Sequence, residues 1–173
     1  MPCWCRVARE KKRSWKKRAK QLEVPQTPYG LARRFVLTAI VHGDAPDELT
    51  GDHVLEPAWD GHRVLATRVG DSVRLAALDF RDWTHAFRPQ VRALAKLSAH
   101  SLAIDGVVCV FDASGAPSFA DLRSQVATGS SIAGAVMICW DLLAIDDEDL
   151  RQQPLSERRR RLTLCSQVHR PVC

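Results

Sequence analysis

The sequence predicts an α+β fold with mainly antiparallel strands. Three observations carry this. From His53 onward, short apolar runs alternate with turn signals. Two of those runs are joined by only Gly70-Asp71, the length of a hairpin turn. Helical spacing of apolar residues is confined to a few short segments between them.

The elements follow in order. Residues 6–21 (RVAREKKRSWKKRAKQ) are good helix formers with few apolar positions, which suits a solvated helix or a disordered arm. Residues 24–52 contain Pro25, Pro28, Gly30, Gly43, Pro46 and Gly51, and read as a linker around one apolar stretch, Phe35–Val41. His53–Trp59 is strand-like, and Asp60-Gly61 is a turn signal. His62–Val69 and Ser72–Leu78 are predicted as paired strands. Pro89–Ser98 places Val91, Leu94 and Leu97 on one face of a helix. Leu102–Phe111 is an apolar run interrupted by Asp105-Gly106, which suits two strands around a tight turn. Ser118–Gln125 is a short helix. Ala133–Ile145 is a central strand with Trp140 and Asp141 inside it, and Ser156 opens a helix whose Glu157 suits the positive N-terminal end. The expected organisation is a basic arm at 1–23, a linker at 24–52, a folded core at 53–164 and a tail at 165–173.

Composition narrows the function classes. With 46% hydrophobic and 26% charged residues, the 173-residue chain has material for one globule with appendages. No apolar run approaches the ~20 residues of a membrane span, so no membrane partner is expected. The charged N-terminus is unlike a secretory leader, and a reducing cytoplasm is the expected compartment. Cys109 and Cys139 lie in apolar runs and read as core, while Cys3-Trp4-Cys5 lacks the CxxC spacing of a zinc site. His53, His62, His85, His100 and His169 show no ligand spacing, so no metal is expected. Residues 1–20 hold nine Lys/Arg and one Glu, a net +8, which leaves 5 − 8 = −3 for the remainder. Arg13, Lys16, Lys17 and Arg18, with Trp15 among them, are therefore candidate nucleic-acid contacts; a merely solvated tail is the competing reading.

The segment Glu56-Pro57-Ala58-Trp59-Asp60-Gly61-His62-Arg63 resembles the first motif of ATP-dependent DNA ligases. Further matches follow in the family's order. They are Val73-Arg74-Leu75, Arg81-Asp82-Trp83-Thr84 with Phe87, Asp105-Gly106-Val107-Val108, Pro117-Ser118-Phe119 with Leu122, and Trp140-Asp141-Leu142-Leu143. Leu150-Arg151, Pro154-Leu155 and Glu157-Arg158-Arg159 complete them, over about residues 53–164. The resemblance is to the adenylation domain of the bacterial end-joining type. It implies a partial nucleotidyltransferase core of the ATP-grasp-like ligase kind, with antiparallel sheets flanked by helices. ATP and Mg²⁺ are the family's cofactors and DNA its substrate.

The departures fall where the family's chemistry lies. Ala58 occupies the position of the lysine that attacks the α-phosphate of ATP, and a methyl group is not a nucleophile. Val107 occupies the place of a glutamate near the ribose and metal. Leu78 replaces an arginine, and Ala77 the serine before it. The later motifs, with another glutamate and two lysines, lie beyond the matched stretch and are expected to be missing, as is the oligonucleotide-binding domain. Three nucleotide-binding positions survive by resemblance: Glu56 beside the adenine, Arg63 at the ribose and phosphate side, and Trp140 as the base platform. An ordinary cross-strand pair, for Glu56 and Arg63, and a core tryptophan compete with those roles. The expected function is a degenerate ligase-like protein of DNA end-joining repair that uses no cofactor and cannot adenylate itself. The alternatives are a nucleic-acid-binding accessory working through its basic arm and a decayed fragment.

Overall fold

The computed structural model describes residues 5–8, 41–43, 54–79, 81–132 and 134–167, and the chain divides into two compact units. In the first unit β1 (Cys5–Ala8), β2 (Val41–Gly43) and β3 (Val54–Pro57) form an antiparallel sheet in the order β2-β1-β3. Arg6 is in register with Glu56, and Val7 with Leu55. Residues 6–8, expected as helix or coil, are thus strand: a partner strand's ladder outweighs local propensity. β2 likewise lies inside the expected linker, at the end of the Phe35–Val41 stretch. Arg13, Lys16, Lys17 and Arg18 lie outside the described residues, as do most of the linker and residues 168–173 of the tail.

The second unit is a five-stranded antiparallel sheet in the order β5-β4-β6-β7-β8 with three helices. Its strands are β4 (His62–Val69), β5 (Ser72–Ala77), β6 (Ser101–Cys109), β7 (Val136–Ile145) and β8 (Glu148–Asp149). The helices are α1 (Arg88–Leu94), α2 (Phe119–Ala127) and α3 (Leu155–Gln167). The predicted hairpin forms at Gly70, whose φ of 56° is open to glycine at little cost. Pro89 enters the first turn of α1, where a missing N–H is harmless. The Ser118 hydroxyl caps α2 by accepting from the Asp121 amide at 3.2 Å.

One expectation is corrected. Asp105-Gly106 is no turn, since β6 runs unbroken from Ser101 to Cys109. A Cβ at position 106 would lie 2.5 Å from the Ile138 carbonyl oxygen, so the glycine serves close approach of β7. Asp105 is accommodated inside the sheet because an arginine pairs with it.

Side-chain alternation divides the sheet into two faces. On one face Val64, Ala66, Leu102, Ile104, Val108 and Leu142 pack with Phe87, Leu94, Leu122 and Cys165 from the helical layer. Each fully buried large apolar side chain there contributes roughly 1.5–3 kcal/mol relative to exposure. The second face has a smaller cluster: Leu65, Ala76, Ala103, Leu143 and Ala144. At one end of that face the apolar residues give way to charged ones.

Candidate nucleotide site

Arg63 shares the second face with Leu65, two residues along β4, and Asp105 shares it with Ala103 and Val107 on β6. The ladder sets Arg63 opposite Val107 and Leu65 opposite Asp105. Arg63 reaches diagonally to Asp105: its Nε donates to Oδ1 at 2.9 Å, and its Nη2 donates to Oδ2. Asp105 is 1% exposed, so this fork satisfies a carboxylate that burial would otherwise make costly.

Two irregularities in the β6–β7 ladder shape the rest. Asp105 pairs with Asp141 and Gly106 with Cys139, leaving Trp140 as an extra residue on β7. A second slip leaves out Leu143 between Leu142 and Ala144. Strict alternation would put Trp140 and Asp141 on opposite faces. The bulge re-aims Trp140 to the Arg63 side, and the guanidinium carbon lies 6.0 Å from its ring centroid. Asp141 is held by Arg158 from α3, with Nε donating to Oδ1 at 2.7 Å and Nη2 to Oδ2 at 2.8 Å. Burial raises the Asp141 carboxyl above the ordinary carboxylate range, Arg158 pulls it back, and neighbouring Asp105 raises it further. The neighbouring arginine, Arg159, donates from Nε to the Trp140 carbonyl at 3.1 Å.

Across this face run Arg63, Asp105, Asp141 and Arg158, two adjacent anions flanked by two cations. Its tryptophan offers a flat apolar surface suited to a base. With Arg159 beside them the group carries a net +1, three arginines against two aspartates, but Arg63 and Arg158 are already engaged by carboxylates, which weakens their pull on a phosphate chain. Val107, 3% exposed opposite Arg63, presents an isopropyl group, which offers no ligand atom to a metal ion. No cluster of metal-ligating side chains occurs among the described residues.

Of the residues singled out in the sequence, Arg63, Val107 and Trp140 come together in the second unit. Glu56 is partly buried at β3, and Ala58 follows β3 directly, both in the first unit. Sequence reading missed Asp105, Asp141, Arg158 and Arg159 as site-forming groups. A signal existed: Asp105 and Asp141 are single charges inside apolar runs, and a buried charge requires a partner. Asp60 and Gly61 frame the start of β4. The Asp60 carboxylate accepts from the Phe119 amide at 3.1 Å, and a Cβ on Gly61 would lie 2.4 Å from the Val108 carbonyl oxygen. Away from this face, a cavity of about 570 Å³ opens between α1, β7 and α3, lined by Gln90, Leu94, Ile104, Cys139 and Leu162. Those lining residues include core residues of the helical face, so the cavity is separate from the Arg63–Trp140 group.

The sheet and its three helices form an α+β core of the ligase adenylation type. The family profile of the ATP dependent DNA ligase domain matches residues 38–170, and the chain belongs to that family. It is 34% identical over 122 residues to the multifunctional non-homologous end joining DNA repair protein LigD of Mycobacterium tuberculosis, covering 70% of this chain and 15% of that one. It is 33% identical over 115 residues to DNA ligase C of the same organism, covering 62% and 32%. The crystal structure of the ligase domain of M. tuberculosis LigD superposes with a TM-score of 0.52 at 32% identity, over 63% of this chain and 35% of that one. The chain thus spans about a third or less of the relatives it matches.

Proposed function

We propose that this chain is a ligase-like protein related to DNA end-joining repair, and that as a polypeptide it neither adenylates itself nor seals DNA. The single observation that carries this is Ala58 in the Glu56–Arg63 segment, where the family's nucleophilic lysine belongs. Covalent catalysis needs an amine that can lose its proton, and a methyl side chain supplies none. Val107 and the neutralised charge around Arg63 support the same reading, because phosphoryl transfer depends on charge stabilisation. What remains in the second unit, Arg63 and Trp140, suits weak purine binding, while Glu56 is a candidate through family resemblance alone. Low-micromolar or tighter affinity for ATP, about −8 kcal/mol, would contradict this. The decisive assay is sealing of a nicked duplex with ATP and Mg²⁺. No ligated product above the protein-free blank is expected, and sealing would overturn the proposal.

A second reading is favoured by nine cations within the first twenty residues. In it the chain is a non-catalytic accessory whose arm contacts nucleic acid through phosphates, with Arg13, Lys16, Lys17 and Arg18 at its centre. A cytoplasmic location fits both readings, and no helix among the described residues is long and apolar enough to cross a membrane.

A further inference from the structure

We infer that Arg158 and Arg159 of α3 are positioning residues that set the orientation of the Trp140 ring. The inference rests on the reading of Trp140 as a base platform. Trp140 is the extra residue of a bulge, so the β6–β7 ladder by itself leaves its direction underdetermined. Two consecutive residues of α3 grip two consecutive residues of β7. Arg159 holds the Trp140 carbonyl, and Arg158 forks the Asp141 carboxylate. Arg158 also donates from Nη1 to the Gln153 carbonyl at 2.6 Å, fixing the approach to α3 against the same strand. β8 pairs β7 only at Ala144 and Ile145, so around Trp140 the outer side of β7 meets arginine side chains where a longer neighbour would supply a ladder. The fork fixes the backbone on one side of the bulge and the carbonyl bond fixes the bulged residue itself. With both in place the ring is held near Arg63; without them the bulge can relax along the strand.

The test labels the full chain with 5-fluorotryptophan and follows each indole by fluorine NMR, with the Trp140 signal assigned by Trp140→Phe. Arg159→Ala and Arg158→Lys are expected to shift or broaden the Trp140 signal. The Trp83 signal, from a ring stacked on Phe87 well inside the core, should stay in place and report an intact fold. If Arg159→Ala disturbs Trp83, Arg159→Lys takes its place, since a lysine cannot reproduce the same directed Nε bond. ATP is then titrated, and each variant should bind at least 5-fold more weakly than the unaltered chain. An unmoved Trp140 signal in both variants would overturn the inference, as would a moved signal with unchanged ATP affinity. If the unaltered chain shows no response to ATP, the nucleotide reading fails, while the unliganded spectra still decide whether the arginines orient the ring.

Discussion

Asp105 and Asp141 lie directly opposite one another on neighbouring strands, and each carboxylate is forked by its own arginine, Arg63 from β4 and Arg158 from α3. Two like charges side by side inside a sheet are tolerable only because each is paired. The Arg158–Asp141 pairing ties α3 to β7, the strand that carries Trp140.

Removing one member of such a pair leaves the other buried and uncompensated. Arg158→Ala should therefore destabilise the chain by about 3 kcal/mol or more. Both side chains are nearly enclosed, at 12% and 9% exposure, so solvent screening offers little relief. The double change Arg158→Met with Asp141→Leu should recover most of the loss. Urea unfolding of the three proteins checks this, and a single variant within about 1 kcal/mol of the parent would contradict it.

The glycines of the two Asp-Gly pairs are expected to resist substitution. An alanine Cβ would approach a carbonyl oxygen to 2.4 Å at position 61 and 2.5 Å at position 106. Backbone must move to relieve either clash, and about 2 kcal/mol of destabilisation is expected for each. Gly134 has open space at its Cβ, so Gly134→Ala should be near neutral when the three variants are compared by urea unfolding.

The two pairs also show where sequence reading reached its limit. Asp60-Gly61 and Asp105-Gly106 look alike as local turn signals, but only the first is a bend; the second is strand interior, held by a neighbour 32 residues ahead at Ile138. The hairpin at Gly70, the short helix after Ser118 and the strand through Trp140 were legible because their signals are local. The strand at Cys5–Ala8 was not, because its partners are residues 41–43 and 54–57. The candidate site divides the same way. Arg63 and Trp140 were singled out only through family resemblance, whereas the arginine forks depend on a register and two bulges that no period-two pattern encodes.

His62 should make the chain lose stability on mild acidification. Its ring is wedged edge-on between Trp83 and Phe119, with centroids at 4.2 and 4.6 Å. Burial, and then Arg81 and Arg123, hold its pKa below the ordinary value of 6.5. The unfolded chain then takes up a proton at higher pH than the folded one. Stability from the neutral ring is present above about pH 6.5 and is lost as pH falls through the lowered folded value. His62→Gln should show a shallower decline in melting temperature between pH 7 and pH 5. An identical decline in both proteins would show that the ring does not couple to folding.

The arm reading predicts salt-sensitive, sequence-independent binding of nucleic acid. Each phosphate neutralised on duplex DNA adds roughly 0.9 to the slope of log affinity against log salt. Exchanging Arg13, Lys16, Lys17 and Arg18 for glutamine should lower that slope by about 3.6 if all four make contact. These changes leave β1 untouched, so the sheet it pairs into is not at risk. An unchanged slope and affinity would mean that the arm is only solvated.

The central claim is the loss of covalent adenylyl transfer, and the most direct measurement is incubation of the purified chain with α-labelled ATP and Mg²⁺, followed by denaturing electrophoresis. With Ala58 in place of the lysine, no label should remain on the protein. An acid-labile, lysine-linked adenylate on the protein band would contradict the account.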